Sequence, residues 1–160
     1  MLTRSAAVLA LAMLASCGQA PSPPAAAPTT AAPPAAAATF TRKAAPAGAE
    51  AYIIEPADGT TVINPVRVVF GLKGIGVAPA GTDRPDAGHH HLLIDTGLPA
   101  DLGMPVPNDE THKHFGGGQT ETTLMLTPGK HTLQLLLGDH LHVPFDPPIA
   151  SGVVTVEVQP

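Results

Sequence analysis

Short runs of alternating apolar and polar residues dominate the C-terminal two-thirds of the chain. Gly, Pro, Asn or Asp separates these runs, and none repeats apolar residues every three or four positions as an amphipathic helix would. The pattern predicts six strands: Ala51–Ile54, Val66–Leu72, His89–Asp95, Gln119–Leu126, His131–Leu137 and Val153–Val158. Six or seven short strands with turn signals between them are typical of an antiparallel β-sandwich, so we predict an all-β, immunoglobulin-like fold with little helix.

Two long segments between these strands, residues 73–88 and 96–118, are rich in Gly and Pro and are predicted to be loops. Loops of this length in a small domain often carry function. His131 begins the fifth predicted strand, at a position where domains of this type often carry a polar anchor. We therefore interpret His131 as a structural residue rather than a ligand.

The N-terminus has the pattern of a secretory signal peptide over residues 1–16. Arg4 precedes an apolar run over residues 6–14, which is too short for a membrane-spanning helix of about 20 residues. The sequence LASC that ends at Cys17 resembles the lipobox of bacterial lipoproteins, in which the cysteine is acylated. The resemblance implies a lipid-anchored protein of the cell envelope that faces the periplasm, and Gly18 in place of aspartate favours the outer membrane. An ordinary signal peptide followed by an unmodified cysteine is the alternative.

Residues 17–48 consist mostly of Ala, Pro and Thr. Repeated prolines prevent helix formation, and the segment has little apolar surface to bury. We predict a disordered tether here and a single domain over residues 49–160. Because Cys17 is the only cysteine, no disulfide can brace this domain, and its fold depends on its core or on its core plus a bound ligand.

Composition excludes some functions. The net charge is −5, aromatic residues make up 3% and tryptophan is absent, so a basic surface with stacking platforms for nucleic acid is missing. The chain has no G-x-S-x-G or H-E-x-x-H motif. We predict a monomer without enzymatic activity.

Histidine is the unusual residue of this sequence. Eight are present, and His-X-His pairs occur in the segments 89–91, 112–114 and 140–142. Residues i and i+2 of a strand point to the same side, so such a pair can present two imidazoles to one ion. Imidazole donors without thiolates and with few nearby carboxylates favour copper or zinc over magnesium or calcium. The predicted metal ligands are His89, His91, His114 and His142, with His90 and Asp139 as additional candidates.

Other interpretations of the histidines stay open. His90 can face the core beside Leu92 and Ile94, with His89 and His91 outside. The histidines can then form a structural hydrogen-bond network in an envelope interaction module, or bind metal only weakly at the surface. A metal-dependent hydrolase would need an open coordination position and a cleft. Whether the three segments meet depends on strand pairing that the sequence does not determine.

Four stretches resemble a family of small exported bacterial domains of unknown function. They are GHHHLLID (88–95), HFGGGQTETTLML (114–126), LTPGKHTLQLLLGD (126–139) and HVPFDPPIASGVVTVEV (142–158). The resemblance implies an exported β domain without an established activity. Its shared positions fall on His89, His90, His91, His114, Asp139 and His142. His112 and His140 lie outside that pattern. We therefore expect a periplasm-facing lipoprotein that binds copper or zinc for buffering, delivery or sensing, with the membrane and a metal ion or an envelope protein as its partners.

Overall fold

A computed structural model of the protein describes residues 40–160, which form nine β-strands. They are β1 (Glu50–Glu55), β2 (Thr60–Val62), β3 (Val66–Lys73), β4 (Gly76–Val77), β5 (Ala87–Ile94), β6 (His112–His114), β7 (Glu121–Leu124), β8 (Gly129–Gly138) and β9 (Val154–Val158). Within this range no helix is long and apolar enough to cross a membrane. The predicted signal peptide, the lipidated Cys17 and most of the predicted tether lie outside the described residues.

The strands form two sheets. One sheet has the order β1-β3-β7, and the other has the order β2-β9-β8-β5, with β4 and β6 both paired to the remaining edge of β5. The predicted two-sheet, all-β fold is confirmed, and each of the six predicted strands is present. Pairing is antiparallel except between β2 and β9 and between β4 and β5. The sequence did not indicate β2, β4 and β6, because two or three residues are too few to show an alternation; β6 lies inside a predicted loop.

The main core lies between the two sheets. Val68 and Phe70 of β3 pack there against Leu92 of β5 and against Leu133 and Leu135 of β8. A second, smaller apolar group lies on the outer face of the larger sheet and consists of Leu93, Val106 and Leu136. The loop that carries Val106 thus covers part of the outer face. Fully burying one such side chain contributes about 1.5–3 kcal/mol, so both faces of the larger sheet stabilise the fold.

β5 is buried along its whole length, because it has neighbours on both edges and is covered on both faces. His90 faces the core, where its ring centroid lies 5.1 Å from that of Phe70. His89 and His91 point to the outer face, on the same side as Leu93. This alternation confirms the orientation that the sequence suggested for the histidine run, and it separates one histidine from the other two.

The domain begins earlier than its predicted boundary at residue 49. The Arg42 guanidinium donates a hydrogen bond to the carbonyl of Pro144 (3.1 Å) and forms an ion pair with Asp146 (3.2 Å). Lys43 forms an ion pair with Asp83 (2.5 Å). Arg42 and Lys43 of the predicted tether therefore pack on the domain. Composition alone did not indicate the oxygen atoms with which their side chains pair.

Candidate metal centre

Four histidine side chains from distant parts of the chain meet on the outer face of the larger sheet. His89 and His91 belong to β5, His114 ends β6, and His142 lies in the connection between β8 and β9. All six separations between their ring centroids lie between 4.7 and 5.9 Å. We call these four residues the histidine cluster. Each of the three His-X-His segments contributes to it, which answers the question that the sequence left open.

Strand pairing brings three of the four rings together. His91 of β5 lies directly opposite His114 of β6, and opposed residues of an antiparallel pair place their side chains on the same face. His89 and His91 are two residues apart on one strand, and their Nε2 atoms are 3.1 Å apart. One nitrogen each from His89, His114 and His142 lies within 4.8 Å of the other two. Nitrogens of these three rings thus converge on one small volume, and His91 lies beside them through its contact with His89 without joining that group.

A tight turn positions the fourth ring. Asp139 follows β8 and is buried, and its Oδ1 accepts hydrogen bonds from the backbone N–H groups of Leu141 (2.8 Å) and Val143 (3.0 Å). Within this turn His142 has a φ of 69°, a left-handed conformation that is uncommon outside glycine. Residues held in this way are concentrated at functional sites. The structure does not bring the Asp139 carboxylate into the group of converging ligand atoms, so Asp139 holds the turn instead of joining the cluster.

Two glycines leave room for the rings. A Cβ on Gly138 would lie 2.9 Å from Nε2 of His91 and 3.2 Å from Cα of His142. A Cβ on Gly116 would overlap the ring of His114. Neither role was predicted from the sequence: Gly116 falls in the predicted loop over residues 96–118, and Gly138 lies one residue beyond the predicted strand His131–Leu137.

Burial disfavours the protonated form of three rings of the cluster, those of His89, His91 and His114. Burial, together with the smaller effect of the neighbouring imidazoles, lowers the pKa of His89 to about 4 and that of His91 to about 2. Burial, followed by the charge of His142, also lowers the pKa of His114. A neutral imidazole has a free lone pair, which is the form that binds a metal ion. His89, His91 and His114 therefore offer lone pairs for which a proton competes little near neutral pH.

The nitrogens of the cluster do not form a closed hydrogen-bond network. Nδ1 of His89, Nδ1 of His91 and Nε2 of His114 are buried and have no partner among residues 40–160. Leaving a buried polar atom unpaired costs roughly 1–3 kcal/mol, and each such atom in a native structure requires an explanation. Among the described residues, only His89 and His91 form a hydrogen bond between two rings of the cluster. This geometry disfavours the interpretation of the histidines as a structural network.

His90 is not part of the site. It was an additional ligand candidate, but the alternation of β5 places its ring on the opposite face of the sheet, against Phe70. Both of its ring nitrogens are buried without a partner in the described structure. Its candidacy as a ligand is wrong for the simple reason that adjacent residues of a strand point in opposite directions.

His112 and His140 lie near carboxylates, but Nδ1 of His140 is buried without a hydrogen-bond partner among the described residues. Nδ1 of His112 lies 3.0 Å from the carboxylate of Asp109, and Nδ1 of His140 lies 3.6 Å from that of Asp83. Although His112 shares a face of β6 with His114, it is not among the converging ligand atoms. Of the pair His112 and His114, only His114 belongs to the histidine cluster. Of the pair His140 and His142, only His142 does.

His131 is a structural anchor, as predicted. Its Nδ1 lies 2.7 Å from the carboxylate of Asp95, and its Nε2 lies 2.9 Å from the carbonyl oxygen of Thr127. Burial acts to lower the pKa of His131, but these two acceptors outweigh it and the net pKa is raised. A histidine between two acceptors favours the charged form, which is the opposite of what a metal ligand requires.

Fold and site together define a small all-β domain with a four-histidine cluster on its sheet surface. The chain belongs to the DUF4399 family, a domain of unknown function, which it matches over residues 68–159. This range includes most of β3, all of β4 to β9 and all four residues of the histidine cluster. The family resemblance inferred from the sequence motifs is thereby confirmed. No curated protein and no solved structure showed a match to the chain.

Proposed function

We propose that the histidine cluster binds one transition-metal ion, copper or zinc, through His89, His91, His114 and His142. The observation that carries this proposal is the convergence of four imidazoles from three distant segments, with every ring pair within 5.9 Å. Structural histidines need only local partners, such as those of His131. Nothing in local strand formation requires four such rings to meet.

The donor chemistry supports these two metals. Imidazole nitrogen suits zinc and copper, whereas magnesium and calcium prefer oxygen donors. In the described residues no carboxylate belongs to the group of converging ligand atoms. The lowered pKa values of His89 and His91 mean that a metal ion need not displace a proton near neutral pH.

The burial of the ligands fits a site that exchanges its ion. His89 and His91 are fully buried, while His114 and His142 are partly exposed. An ion would enter past the two outer rings and rest on the two inner ones. In our proposal this exchange serves metal buffering, delivery or sensing by a non-enzymatic protein, which Cys17 anchors to the outer membrane with the domain facing the periplasm.

Unfolding of the full-length protein, with and without EDTA, tests the proposal against a structural role for the histidines. Zinc at about one hundred times its Kd should raise the free energy of unfolding by roughly 3 kcal/mol, and EDTA should abolish this gain. His142→Ala should lose the gain but resemble the wild type in EDTA, because the ring is partly exposed.

His131→Ala is the matched control, since His131 lies outside the histidine cluster. It should lose stability in both conditions and still show the full gain from zinc. A His142→Ala variant that is equally destabilised with and without EDTA, in a protein that zinc and copper do not stabilise, would contradict the proposal.

A further inference from the structure

We infer that His91 is a positioning residue: it accepts a hydrogen bond from Nε2 of His89, so that Nδ1 of His89 binds the ion. This inference rests on the proposed function and gives its four histidines two different roles. His89, His114 and His142 bind the ion directly, whereas His91 acts through His89. A histidine that binds a metal almost always donates its other ring N–H to a neighbouring acceptor, which fixes the tautomer and the orientation of the ring.

The rings of His89 and His91 are in direct contact. Their Nε2 atoms lie 3.1 Å apart, and both side chains are fully buried on β5. A nitrogen of a neutral imidazole carries either a hydrogen or a lone pair, so a nitrogen that takes part in a hydrogen bond is not available to a metal ion. While this contact holds, the nitrogen that remains free on each of the two rings is therefore Nδ1.

The converging nitrogens show which of these two rings reaches the ion. One nitrogen of His89 belongs to the group that His114 and His142 complete, with all three atoms within 4.8 Å of one another, and His91 is not a member of that group. Nδ1 of His89 and Nε2 of His114 are buried and have no hydrogen-bond partner among residues 40–160. An ion bound at these two atoms would supply the partner that each of them lacks.

A bound ion would also determine the direction of the hydrogen bond. If His91 donated it, neutral His89 would carry its own hydrogen on Nδ1 and would have no lone pair for a metal. If His89 donates it from Nε2, Nδ1 keeps its lone pair. Either direction leaves one buried Nδ1–H without a partner in the described part of the chain, on His89 in the first case and on His91 in the second. Only the second direction lets His89 bind a metal.

The packing around His91 suits a residue that holds another in place. His91 lies opposite His114 of β6 and opposite Leu136 of β8, so its backbone is paired on both sides. A Cβ on Gly138 would lie 2.9 Å from Nε2 of His91, and the backbone at Gly138 therefore lies against the same nitrogen that contacts His89. A group that orients a ligand must itself be fixed by its surroundings, and His91 meets this requirement.

Nitrogen-15 NMR of the full-length protein, loaded with zinc at pH 7.5, tests the inference directly. The chemical shift of an imidazole nitrogen depends on whether the atom carries a hydrogen, a free lone pair or a zinc ion. We expect zinc on Nδ1 of His89, a hydrogen on Nε2 of His89 and no zinc on either nitrogen of His91. Zinc on Nε2 of His89, or on either nitrogen of His91, would overturn the inference while metal binding stands. If none of the four rings binds zinc, the proposed function fails as well.

Three variants separate a positioning residue from a ligand. His91→Leu should weaken zinc binding about 10–100-fold, the usual effect of removing the partner of a ligand, and should still bind one ion per chain. Co²⁺, used as a spectroscopic substitute for zinc, should keep the visible bands of the wild type in this variant. His114→Ala removes a ligand and should change those bands. His91→Gln supplies an acceptor oxygen and should recover part of the lost affinity.

His90→Leu is the matched control, since His90 is the adjacent residue of β5 and faces the core on the opposite side of the sheet. It should bind zinc as tightly as the wild type. If His91→Leu also binds zinc as tightly as the wild type, His91 does not position His89. If His91→Leu changes the Co²⁺ bands in the same way as His114→Ala, His91 is a ligand. Either result would overturn the inference.

Discussion

Replacement of His90 by leucine tests how burial governs the behaviour of the histidine run. His90 is fully buried between the sheets beside Phe70, and both of its ring nitrogens lack partners among the described residues. Leucine is similar in volume and has no polar atoms. Since His90 points away from the histidine cluster, the substitution should leave metal binding unchanged.

Part of the expected gain in the stability of the leucine variant does not depend on pH. An unpaired buried polar group costs roughly 1–3 kcal/mol, and a volume-conserving core substitution costs less than about 1.5 kcal/mol. At pH 7.5 the His90→Leu variant should therefore be more stable than the wild type by about 1 kcal/mol.

A second part depends on pH. Burial lowers the pKa of His90 from its ordinary value of 6.5 to about 4. Between these values the unfolded chain binds a proton that the folded chain does not. Protonation of the unfolded chain at His90 therefore does not affect stability above pH 6.5, and it lowers the free energy of unfolding progressively as the pH falls from 6.5 toward 4. At about 1.4 kcal/mol per pH unit, the loss at pH 5 is roughly 2 kcal/mol, so the advantage of the leucine variant should grow to about 3 kcal/mol.

Urea unfolding in EDTA at pH 7.5 and pH 5 measures both parts. The pH dependence is the sharper test, because packing differences between histidine and leucine affect both conditions equally. A stability difference between the two proteins that stays constant from pH 7.5 to pH 5 would refute the assignment of His90 as a neutral, buried ring. So would a loss of metal affinity, because it would place His90 in the site.

Three further predictions concern the surroundings of the site and the His131 anchor. Gly138→Ala should weaken zinc binding about tenfold by displacing the adjacent ring, whereas Gly152→Ala should not, since no atom lies within 4 Å of a Cβ there; zinc titration compares the two. Asp139→Ala should lower the free energy of unfolding by about 2 kcal/mol and the zinc affinity at least about tenfold, and Asp139→Asn, which keeps an acceptor oxygen, should restore most of both; full affinity in the alanine variant would show that the turn needs no such support. The raised pKa of His131 means that its stabilisation is complete below pH 6.5 and is lost as the pH rises through the folded value; Asp95→Asn should thus lower the melting temperature more at pH 6 than at pH 8.5, and an equal loss at both would contradict the charged pairing.

The features that could be predicted from the sequence are those that alternation determines. The six longer strands follow from their apolar pattern, and the orientation of His90 relative to His89 and His91 follows from the two-residue period of a strand. The anchor role of His131 followed from its place at the start of a strand after a turn. All of these depend on neighbours in the chain.

The convergence of the site depends on contacts between distant residues, which alternation does not encode. β6 has three residues and no apolar position, yet its pairing with β5 sets His114 opposite His91. His142 reaches the site through a turn held by the buried Asp139, which from sequence alone looked like an additional ligand. The fit of Arg42 on the carbonyl of Pro144 was missed for the same reason, since a charged residue in an Ala/Pro-rich segment gives no sign of its partner.

Metal content is the most direct test of the central claim. The full-length protein, purified without a polyhistidine tag, would be analysed for bound metals and then titrated with zinc and with copper in both oxidation states. The account predicts one ion per chain with a Kd below about one micromolar, lost in His89→Ala and in His142→Ala and retained in His131→Ala. A protein that carries no ion and binds none of these metals more tightly than about 100 μM would show that the four imidazoles meet for another reason.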